Sequence, residues 1–589
     1  MCMKGWWNKS VRVDLRTGRI KSEDIGKDKL KNFLGGRGLG GRLLFEEIQP
    51  TDDPIDKNTL IFARGPLTGT IVPTSGRFSV STKSPLTGTI LDSNVGGFLG
   101  KEFSSTGFDA LIIQGESDVP VIIRIDDEDV SIEETDLWGK KVGETLDELD
   151  EMSAVIGPAG ENLVRFANVV TDDDRVFGRG GIGAVMGSKK LKGISVQGDR
   201  RVEIEDEERL KDYVKKAVSK ISSSPITSRG LKKFGTPILV NLLDWLGMFP
   251  IENFQRVKDE RVDNLSGETM REEIVNEHYG CHACPIRCGL KTQTDQEEGK
   301  GPEYESVWAL GANLGNFDLK KTTKANYLCN ELGLDTISTG GTIACAMEMA
   351  EREIWDKTRG FNNDINELIK MIAYRKGVGD ELAGGSKELC NRYGCNLSMS
   401  VKGMELPAYD PRGAAGQALS FATSNRGGCH LRGYMIGEEI FGVPKLFDRF
   451  NTSGKAEVVK RSQERNAYLD SLTVCKFSSF ALDEEYYSRF LEAVTGIKYT
   501  VSELHTIGER IYNMERAFNT LNGFSKMDDQ LPDRFSEPLS EGASSGNVFD
   551  MNIMLEDYYK IMGWNEDGNP TQKKLDELSL GWLTGFDTF

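Results

Sequence analysis

The chain has 589 residues, and 73 Lys and Arg against 91 Asp and Glu give a formal charge of −18. At about 150 residues per domain the length allows roughly three to four domains, and 38% hydrophobic with 28% charged residues is a globular composition, which excludes a disordered or fibrous chain. The acidic balance argues against nonspecific binding to nucleic acid or an anionic membrane, and ten unevenly spread Cys exclude a disulfide scaffold.

From the N-terminus, Met1 to Trp7 lacks the apolar core of about 7 to 15 residues that marks a signal peptide, and no run of about 18 apolar residues follows. The expectation is a cytoplasmic protein in a reducing compartment, with no membrane span. Short runs such as Ala110–Ile113 and Val121–Ile125, separated by Gly, Pro, Thr and Asp, predict a β-rich region to about residue 200. Glycine, at 65 residues, exceeds its usual share and sits in short motifs, which predicts backbone packed closely against something. Arg64-Gly65-Pro66-Leu67-Thr68-Gly69-Thr70 is echoed by Lys83-Ser84-Pro85-Leu86-Thr87-Gly88-Thr89, read as two related turns of a duplicated β unit.

Gly36-Arg37-Gly38-Leu39-Gly40-Gly41 and Gly178-Arg179-Gly180-Gly181-Ile182-Gly183 both fit G-x-G-x-x-G. A dinucleotide loop also needs a strand before it, a long helix after it and an acid about twenty residues on. Neither context is met: only Ala184 to Leu191 separate the second string from the strand-like Gly193–Val196. Backbone amides beside Arg179, Lys189, Lys190 and Lys192 read instead as a phosphate cradle.

Beyond residue 204, Leu210, Tyr213, Val214, Ala217, Val218 and Ile221 recur at three- and four-residue spacing and predict an amphipathic helix, with further helices over Ile343–Ile354 and Glu503–Leu521. The acidic patch Glu203 and Glu205–Glu208 reads equally as a boundary or a solvated helix start. Cys281-His282-Ala283-Cys284-Pro285-Ile286-Arg287-Cys288 is a C-x2-C-x3-C array, compact enough to wrap an iron–sulfur cubane or grip a zinc ion. Cys475 could supply a fourth thiolate to a cluster, and His278 or His282 a fourth ligand to zinc. Radical enzymes that use S-adenosylmethionine carry the reverse order, which disfavours that class. Cys329, Cys345, Cys390 and Cys395 read as small buried hydrophobes and Cys2 as terminal, and Trp245, Phe249 and Phe254 as ordinary core rather than channel lining.

Gly76-Arg77-Phe78, Ser84–Gly88, the loop at 178–188, the cysteine array and Gly301-Pro302-Glu303-Tyr304-Glu305 together resemble the tungsten-dependent aldehyde:ferredoxin oxidoreductases, in matching order from about Trp7 to about Phe480. The resemblance implies an α+β chain: a β-rich pterin-binding base domain (1–203), a helical domain with the cysteine array (204–408) and a helical domain with the fourth cluster cysteine (409–589). It implies a tungsten bis-molybdopterin centre beside a 4Fe-4S cluster on Cys281, Cys284, Cys288 and Cys475. Each pterin would be gripped by a D-x-x-G-L-C/D segment, for which the candidates are Asn330–Asp335 and Asp470–Cys475. In the first Asn330 replaces an acid, and in the second Thr473-Val474 replaces Gly-Leu; an Asn lacks the charge-assisted acceptor strength of an Asp. Arg77 would bridge cluster and pterin, Arg179, Gly180, Gly181 and Gly183 would cradle phosphate, and the backbone carbonyls of Asn94 and Ala184 would hold magnesium between pterin phosphates.

The same resemblance makes Glu305 and His430 the acid–base pair, with Glu303 able to replace Glu305 if the stretch is extended, since residues two apart then share a face. The implied reaction oxidises an aldehyde to a carboxylate and passes electrons to ferredoxin or a ferredoxin-like subunit. A homodimer or hetero-oligomer is implied as well, and no nucleic acid. An acidic electron acceptor facing a chain of charge −18 needs a local basic patch or a dedicated subunit. The competing readings are a catalytic subunit of the class II benzoyl-CoA reductase kind and a noncatalytic zinc-bearing scaffold.

Overall fold

A computed structural model describes residues 3–172, 174–355 and 364–583, leaving Cys2 outside the described residues. The N-terminal region holds two six-stranded sheets. The first contains β1 (Lys9–Asp14), β2 (Arg19–Asp24), β3 (Leu60–Ala63), β4 (Phe78–Lys83), β5 (Ile90–Val95) and β6 (Ala110–Gln114), in the order β2-β1-β6-β3-β4-β5. The second contains β7 (Val121–Asp126), β8 (Asp129–Glu134), β9 (Met152–Val155), β10 (Val169–Thr171), β11 (Val176–Phe177) and β12 (Leu191–Gln197), in the order β11-β10-β9-β12-β7-β8. In each sheet one pair is parallel, β1 with β6 and β7 with β12, and the rest are antiparallel.

The period of two along each strand decides what the sheets share. Val11, Val13, Leu60, Phe62, Leu111 and Ile113 of the first face Val121, Ile123, Ile125, Ile194 and Val196 of the second in one core. The alternate residue Ile122 turns to the opposite side, against Leu137, Val142 and Val170. The run Val121–Ile125, read as a strand, is thus apolar on both faces because both faces are covered.

A duplication is present, but it relates sheet to sheet. β3 runs into Gly65-Pro66 and β9 into Ile156-Gly157-Pro158. A Cβ on Gly65 would meet the Leu472 carbonyl at 2.6 Å, and one on Gly157 the Leu332 carbonyl at 2.6 Å. Leu472 and Leu332 each end a helix, Lys455–Leu472 and Leu319–Leu332, and each is followed by a left-handed residue, Thr473 (φ 58°) and Gly333 (φ 75°). The turns Arg64–Thr70 and Lys83–Thr89 do share a form: each leaves a strand of the first sheet and ends in a left-handed glycine, Gly69 or Gly88. Their neighbours differ, however. The first abuts Leu472 and Thr473, while in the second Ser84 Oγ donates to Gly180 O at 2.8 Å and Gly88 O accepts from Asn522.

The rest is mostly helical. Helix Glu207–Ser223 is capped by Asp206, whose side chain accepts from Arg209 N, and it buries Leu210, Ala217 and Ile221 against helix Glu484–Thr495. Helix Thr336–Glu351 starts seven residues before the expected Ile343 and stops short of Ile354. Its first turns, Thr336-Ile337-Ser338-Thr339-Gly340-Gly341, carry poor helix formers. Two tertiary features impose the helix there: Asp335 accepts from Ile337 N, and Gly340 lies so close to Ala309 O that a Cβ would stand 2.1 Å from it. Helix Val501–Leu521 begins with a capping box of Thr500 and Glu503. Among the described residues no helix is long and apolar enough to cross a membrane.

Candidate active site and cysteine cluster

A cavity of about 540 Å³ opens where the first sheet meets the helices. Arg77 enters it from just before β4, Asp92 and Asn94 from β5, Gly178 and Arg179 from the second glycine string, and Glu305, His430, Asp470 and Cys475 from the helical part. Phe249 and Phe254 lie in a core cluster and Trp245 is largely exposed, so none of the three lines the cavity.

One wall is a buried charge network. Arg37 grips Glu515 through Nε (2.6 Å) and Nη2 (2.7 Å) and lies 3.5 Å from Asp92 and 3.4 Å from Asp470. Arg432 pairs with Asp92 and stands 3.6 Å from Asp470, while Lys476 is 3.2 Å from Asp470. Arg426 donates to Asp92 O at 2.7 Å and to Cys429 Sγ at 2.9 Å. Four cations thus face three carboxylates, and Nε of both Arg426 and Arg432 is buried without a partner. Such a surplus of buried donors fits an anionic occupant. The network also acts on its neighbours: against the effect of burial, Arg426, Arg432 and Arg179 draw the Cys429 thiol down to about 7.

The opposite wall mirrors this one. Arg179 Nε binds Asp335 at 3.0 Å, and its two terminal nitrogens donate to Gly428 O and Glu405 O. Gly180 and Gly181 have φ of 91° and 86°, and a Cβ on Gly181 would stand 2.1 Å from Arg165 O. The turn backbone at Arg165 lies directly against this loop, which is why glycine is required. Gly181→Ala is therefore expected to destabilise the protein by at least about 1–2 kcal/mol, read as a lower denaturant midpoint with an unchanged slope.

Glu305 and His430 meet between the walls. Glu305 Oε2 accepts from Ala408 N at 2.8 Å, and Oε1, with no donor in hydrogen-bond range, lies 3.6 Å from His430 Nε2. Burial pushes the Glu305 carboxyl up to about 8, partly opposed by the Ala408 amide and by Arg179. Burial, reinforced by Arg179, Arg426 and Lys476, holds His430 well below its ordinary value, so the imidazole is neutral. Tyr409 and Tyr434 flank that ring, with centroids 5.4 and 5.9 Å away.

Glu303 also lines the cavity, but not by the extended geometry expected. Tyr304 begins helix Tyr304–Leu310, so the stretch is not extended, and Glu303, just outside the helix, accepts from Thr236 Oγ1 at 2.6 Å with Arg175 3.6 Å away.

The Cys281–Cys288 array forms the connection between β13 (Val275–Tyr279) and β14 (Gly289–Thr294). Ala283 and Arg287 take left-handed φ values of 51° and 52°, which tighten the loop. Cys475 is brought to it by backbone links: Cys475 N donates to Thr74 O and Thr74 N to Ala283 O. Burial pushes the Cys284 thiol up to about 11 and raises the Cys288 thiol well above its ordinary value, and both feel Cys475 and Cys281. Cys284 and Cys288 therefore both lie near Cys281 and Cys475. Arg77 Nη2 donates to Cys475 Sγ at 3.3 Å, while its Nη1 reaches Asn94 O at 3.4 Å. Of the two histidines, His282 shares a hydrogen bond of 3.0 Å between Nε2 and Thr70 O, and His278 sits on β13. Among the described residues no group of three or more His, Cys, Asp or Glu converges as single-ion ligands do.

Other expected residues stand apart. The Asn330 side chain, on helix Leu319–Leu332, does not line the cavity. Neither does Ala184, buried in the first turn of helix Ile182–Ser188. Lys189 donates to Asn58 O and Gly115 O, Lys190 to Asp118 O, and Lys192 pairs with Glu161, so the three lysines are committed away from the glycine loop. Cys329, Cys345 and Cys390 are buried in an apolar cluster with Cys395 at its margin, and Cys390 Sγ lies 3.4 Å from Cys345 Sγ and 3.1 Å from Cys395 Sγ. Sequence reasoning missed Arg37, Asp92, Arg426, Arg432 and Glu515; the one signal pointing to them was the matching Gly-Arg-Gly of the two strings.

Two family models cover almost the whole chain. The N-terminal domain of aldehyde ferredoxin oxidoreductase matches residues 10–198, and domains 2 and 3 match residues 212–580. The tungsten-containing aldehyde ferredoxin oxidoreductase of Pyrococcus furiosus is 45% identical, over 98% of this chain and 99% of its own, and that of Thermococcus kodakarensis 44% identical over the same shares. Among solved structures, the BamBC active-site complex of benzoyl coenzyme A reductase superimposes with a TM-score of 0.85 at 24% identity, over 99% of this chain and 98% of that one, which shows a common fold.

Proposed function

The chain belongs to the aldehyde ferredoxin oxidoreductase family, and from that premise we propose that it oxidises an aldehyde to a carboxylate in the 540 Å³ cavity and sends the electrons through a 4Fe-4S cluster to a ferredoxin or ferredoxin-like subunit. The observation that carries this reading is the buried carboxyl–imidazole pair of Glu305 and His430 opening onto a cavity walled by unpartnered cationic donors.

The residues fit a tungsten bis-molybdopterin. Arg37, Arg426, Arg432, Asp470 and Lys476 would hold one pterin, and Arg179 with Asp335 and Gly180, Gly181 and Gly183 the other. Of these, Arg179, Arg426, Arg432, Asp470 and Lys476 line the cavity, whereas Arg37, Asp335, the three glycines and Asn330 stand behind that lining. Cys281, Cys284, Cys288 and Cys475 would ligate the cluster. Magnesium on the carbonyls of Asn94 and Ala184 fits poorly: Asn94 O already faces the Arg77 guanidinium, and Ala184 does not line the cavity.

When bound, the metal complex supplies a two-electron acceptor and the cluster a one-electron exit. The balance is RCHO + H2O giving RCOO⁻, three protons and two electrons. Glu305 takes a proton from water at Oε1, the oxygen with no protein donor, while the Ala408 amide fixes Oε2. Neutral His430, carrying its proton on Nε2, donates to the carbonyl oxygen. Ile226, Leu239, Leu242, Phe441 and Phe480 enclose the organic part of the substrate and keep bulk water from the reacting carbon.

Elemental analysis of anaerobically purified protein, with aldehyde-dependent reduction of a viologen dye, tests the proposal; tungsten with no aldehyde turnover, or zinc alone, would refute it. Cys475→Ser is expected to lower iron and acid-labile sulfide sharply while Cys395→Ser leaves both unchanged. Equal iron in the two variants would remove Cys475 from the ligand set.

A further inference from the structure

We infer that Cys390 and Cys395 form a redox-active dithiol, which closes to an intramolecular disulfide by exchange with a low-molecular-weight disulfide. The pair lies outside the catalytic cavity, so the inference does not depend on the proposed reaction.

The local fold builds the pair. Cys390 lies in the last turn of helix Ser386–Tyr393, which ends at Gly394 in the left-handed region, with φ 69°. Gly394 N and Cys395 N both donate to Cys390 O, the second at 3.0 Å. The chain thus folds back over its own last turn, and the residue after the glycine meets the side chain five positions earlier. Apolar residues ordinarily fill those two places; here both are thiols. Cys395 Sγ donates to Cys390 Sγ at 3.1 Å. A bonded pair stands at about 2.05 Å, so closure asks for a movement of about 1 Å.

The surroundings prepare Cys390 as the thiolate. Cys345 Sγ, from helix Thr336–Glu351, lies 3.4 Å from Cys390 Sγ. The amides of Leu397 and Ser398 hydrogen-bond to the same sulfur, and Asn253 Nδ2 steadies that segment by donating to Leu397 O at 3.0 Å. The bond from Cys345, with those from Cys395, Leu397 and Ser398, draws the Cys390 thiol down against the effect of burial. Cys345 is pushed up by its bond to Cys390 and by burial, and Cys395 by burial and by Cys390, so one thiolate sits between two thiols.

Exposure separates the roles. Cys345 and Cys390 are 0% and 2% exposed, whereas Cys395 is half-buried, so an external disulfide RSSR meets Cys395 first. Cys395 Sγ bonds to one sulfur of RSSR, the S–S bond of RSSR breaks, and the Cys395 proton passes by way of Cys390 to the departing RS⁻. The Cys390 thiolate then attacks Cys395 Sγ and expels the second RS⁻, which takes its proton from solvent. The dithiol is oxidised by two electrons, and RSSR is reduced to two thiols.

The test incubates the loaded enzyme anaerobically with glutathione disulfide, quenches with acid and an alkylating agent, and maps the peptides by mass. The wild type should show a Cys390–Cys395 crosslink, two hydrogens lighter than the dithiol and reversed by dithiothreitol. Cys345 should be recovered as a free thiol, and so should Cys329, which lies in the same apolar cluster but bonds to Thr339. Cys390→Ser should instead hold glutathione on Cys395 at about ten times the wild-type level or more, because no adjacent thiol displaces it. Cys345→Ser should still form the crosslink. A lasting glutathione adduct on wild-type Cys395, a crosslink between Cys345 and Cys390, or recovery of all three as free thiols would each overturn the inference. The readout is a covalent mass, so failure of aldehyde turnover would sink the proposed function and leave this result standing.

Discussion

Glu305→Gln is expected to cut aldehyde-dependent dye reduction by about 10²–10⁴-fold, the range ascribed to positioned general bases, while tungsten and iron contents stay at wild-type levels. The amide keeps the size of the side chain and can still accept from the Ala408 amide, so the fold and the cavity should survive. What it cannot do is take a proton. The pH profile supplies the independent check. A base works in its deprotonated form, and burial places the Glu305 carboxyl at about 8. At pH 7 only about a tenth of the enzyme is then in the active form, so wild-type kcat/KM should climb between roughly pH 7 and 9 and level off above. The residual activity of the Gln variant should show no such rise. His430, held neutral across that range by burial and by Arg179, Arg426 and Lys476, adds no limb of its own. A wild-type profile flat from pH 6 to 9, or a fully active Gln variant, would remove Glu305 from the role of base and reopen the case for Glu303.

How far this site was legible depended on whether a residue announced itself locally. The cysteine array and the paired Glu303 and Glu305 sit in short, recognisable strings, and Arg77, Asn94, Arg179, His430 and Asp470 were implied by the family resemblance. Those residues of Arg77, Arg179, Glu305, His430, Asp470 and Cys475 do line one cavity. The charge network was not legible, because nothing in Gly36-Arg37-Gly38 separates a buried guanidinium from a solvated one; the distinction is made by Asp92 and Glu515, far along the chain. The contact among Cys345, Cys390 and Cys395 was hidden for the same reason. Element types read well where period and burial agree, as in Val121–Asp126 and Glu207–Ser223. They read poorly in helix Thr336–Glu351, where Gly340 and Gly341 oppose local propensity and packing against Ala309 and Glu405 overrides it. Thr473 is the same lesson inverted: its left-handed φ of 58° is the conformation Gly333 takes at the matching place, so the loss of Gly from the second pterin segment did not remove the turn.

Arg37→Met is expected to give the largest loss of stability of any single change in the network, about 3–5 kcal/mol. The reason is what the substitution leaves behind. Arg37 is fully buried and is the main partner of Glu515, which otherwise receives only Asn425 Nδ2 at 3.2 Å. Asp92 and Asp470 retain Arg432, and Asp470 also Lys476, so the uncompensated charge falls chiefly on Glu515. A methionine fills most of the volume, which keeps cavity formation from dominating the result. The loss should appear as a lower midpoint in chemical denaturation, and the double variant Arg37→Met, Glu515→Gln should recover a good part of it, because the stranded charge is gone. If the two changes add instead of compensating, the cost of Arg37→Met comes from packing. In the loaded enzyme the same variant should also hold less tungsten, since a cationic wall that has lost one of its four charges binds an anionic group more weakly. Recovery of stability without recovery of tungsten in the double variant would separate the two tasks of Arg37, neutralising Glu515 and attracting the cofactor.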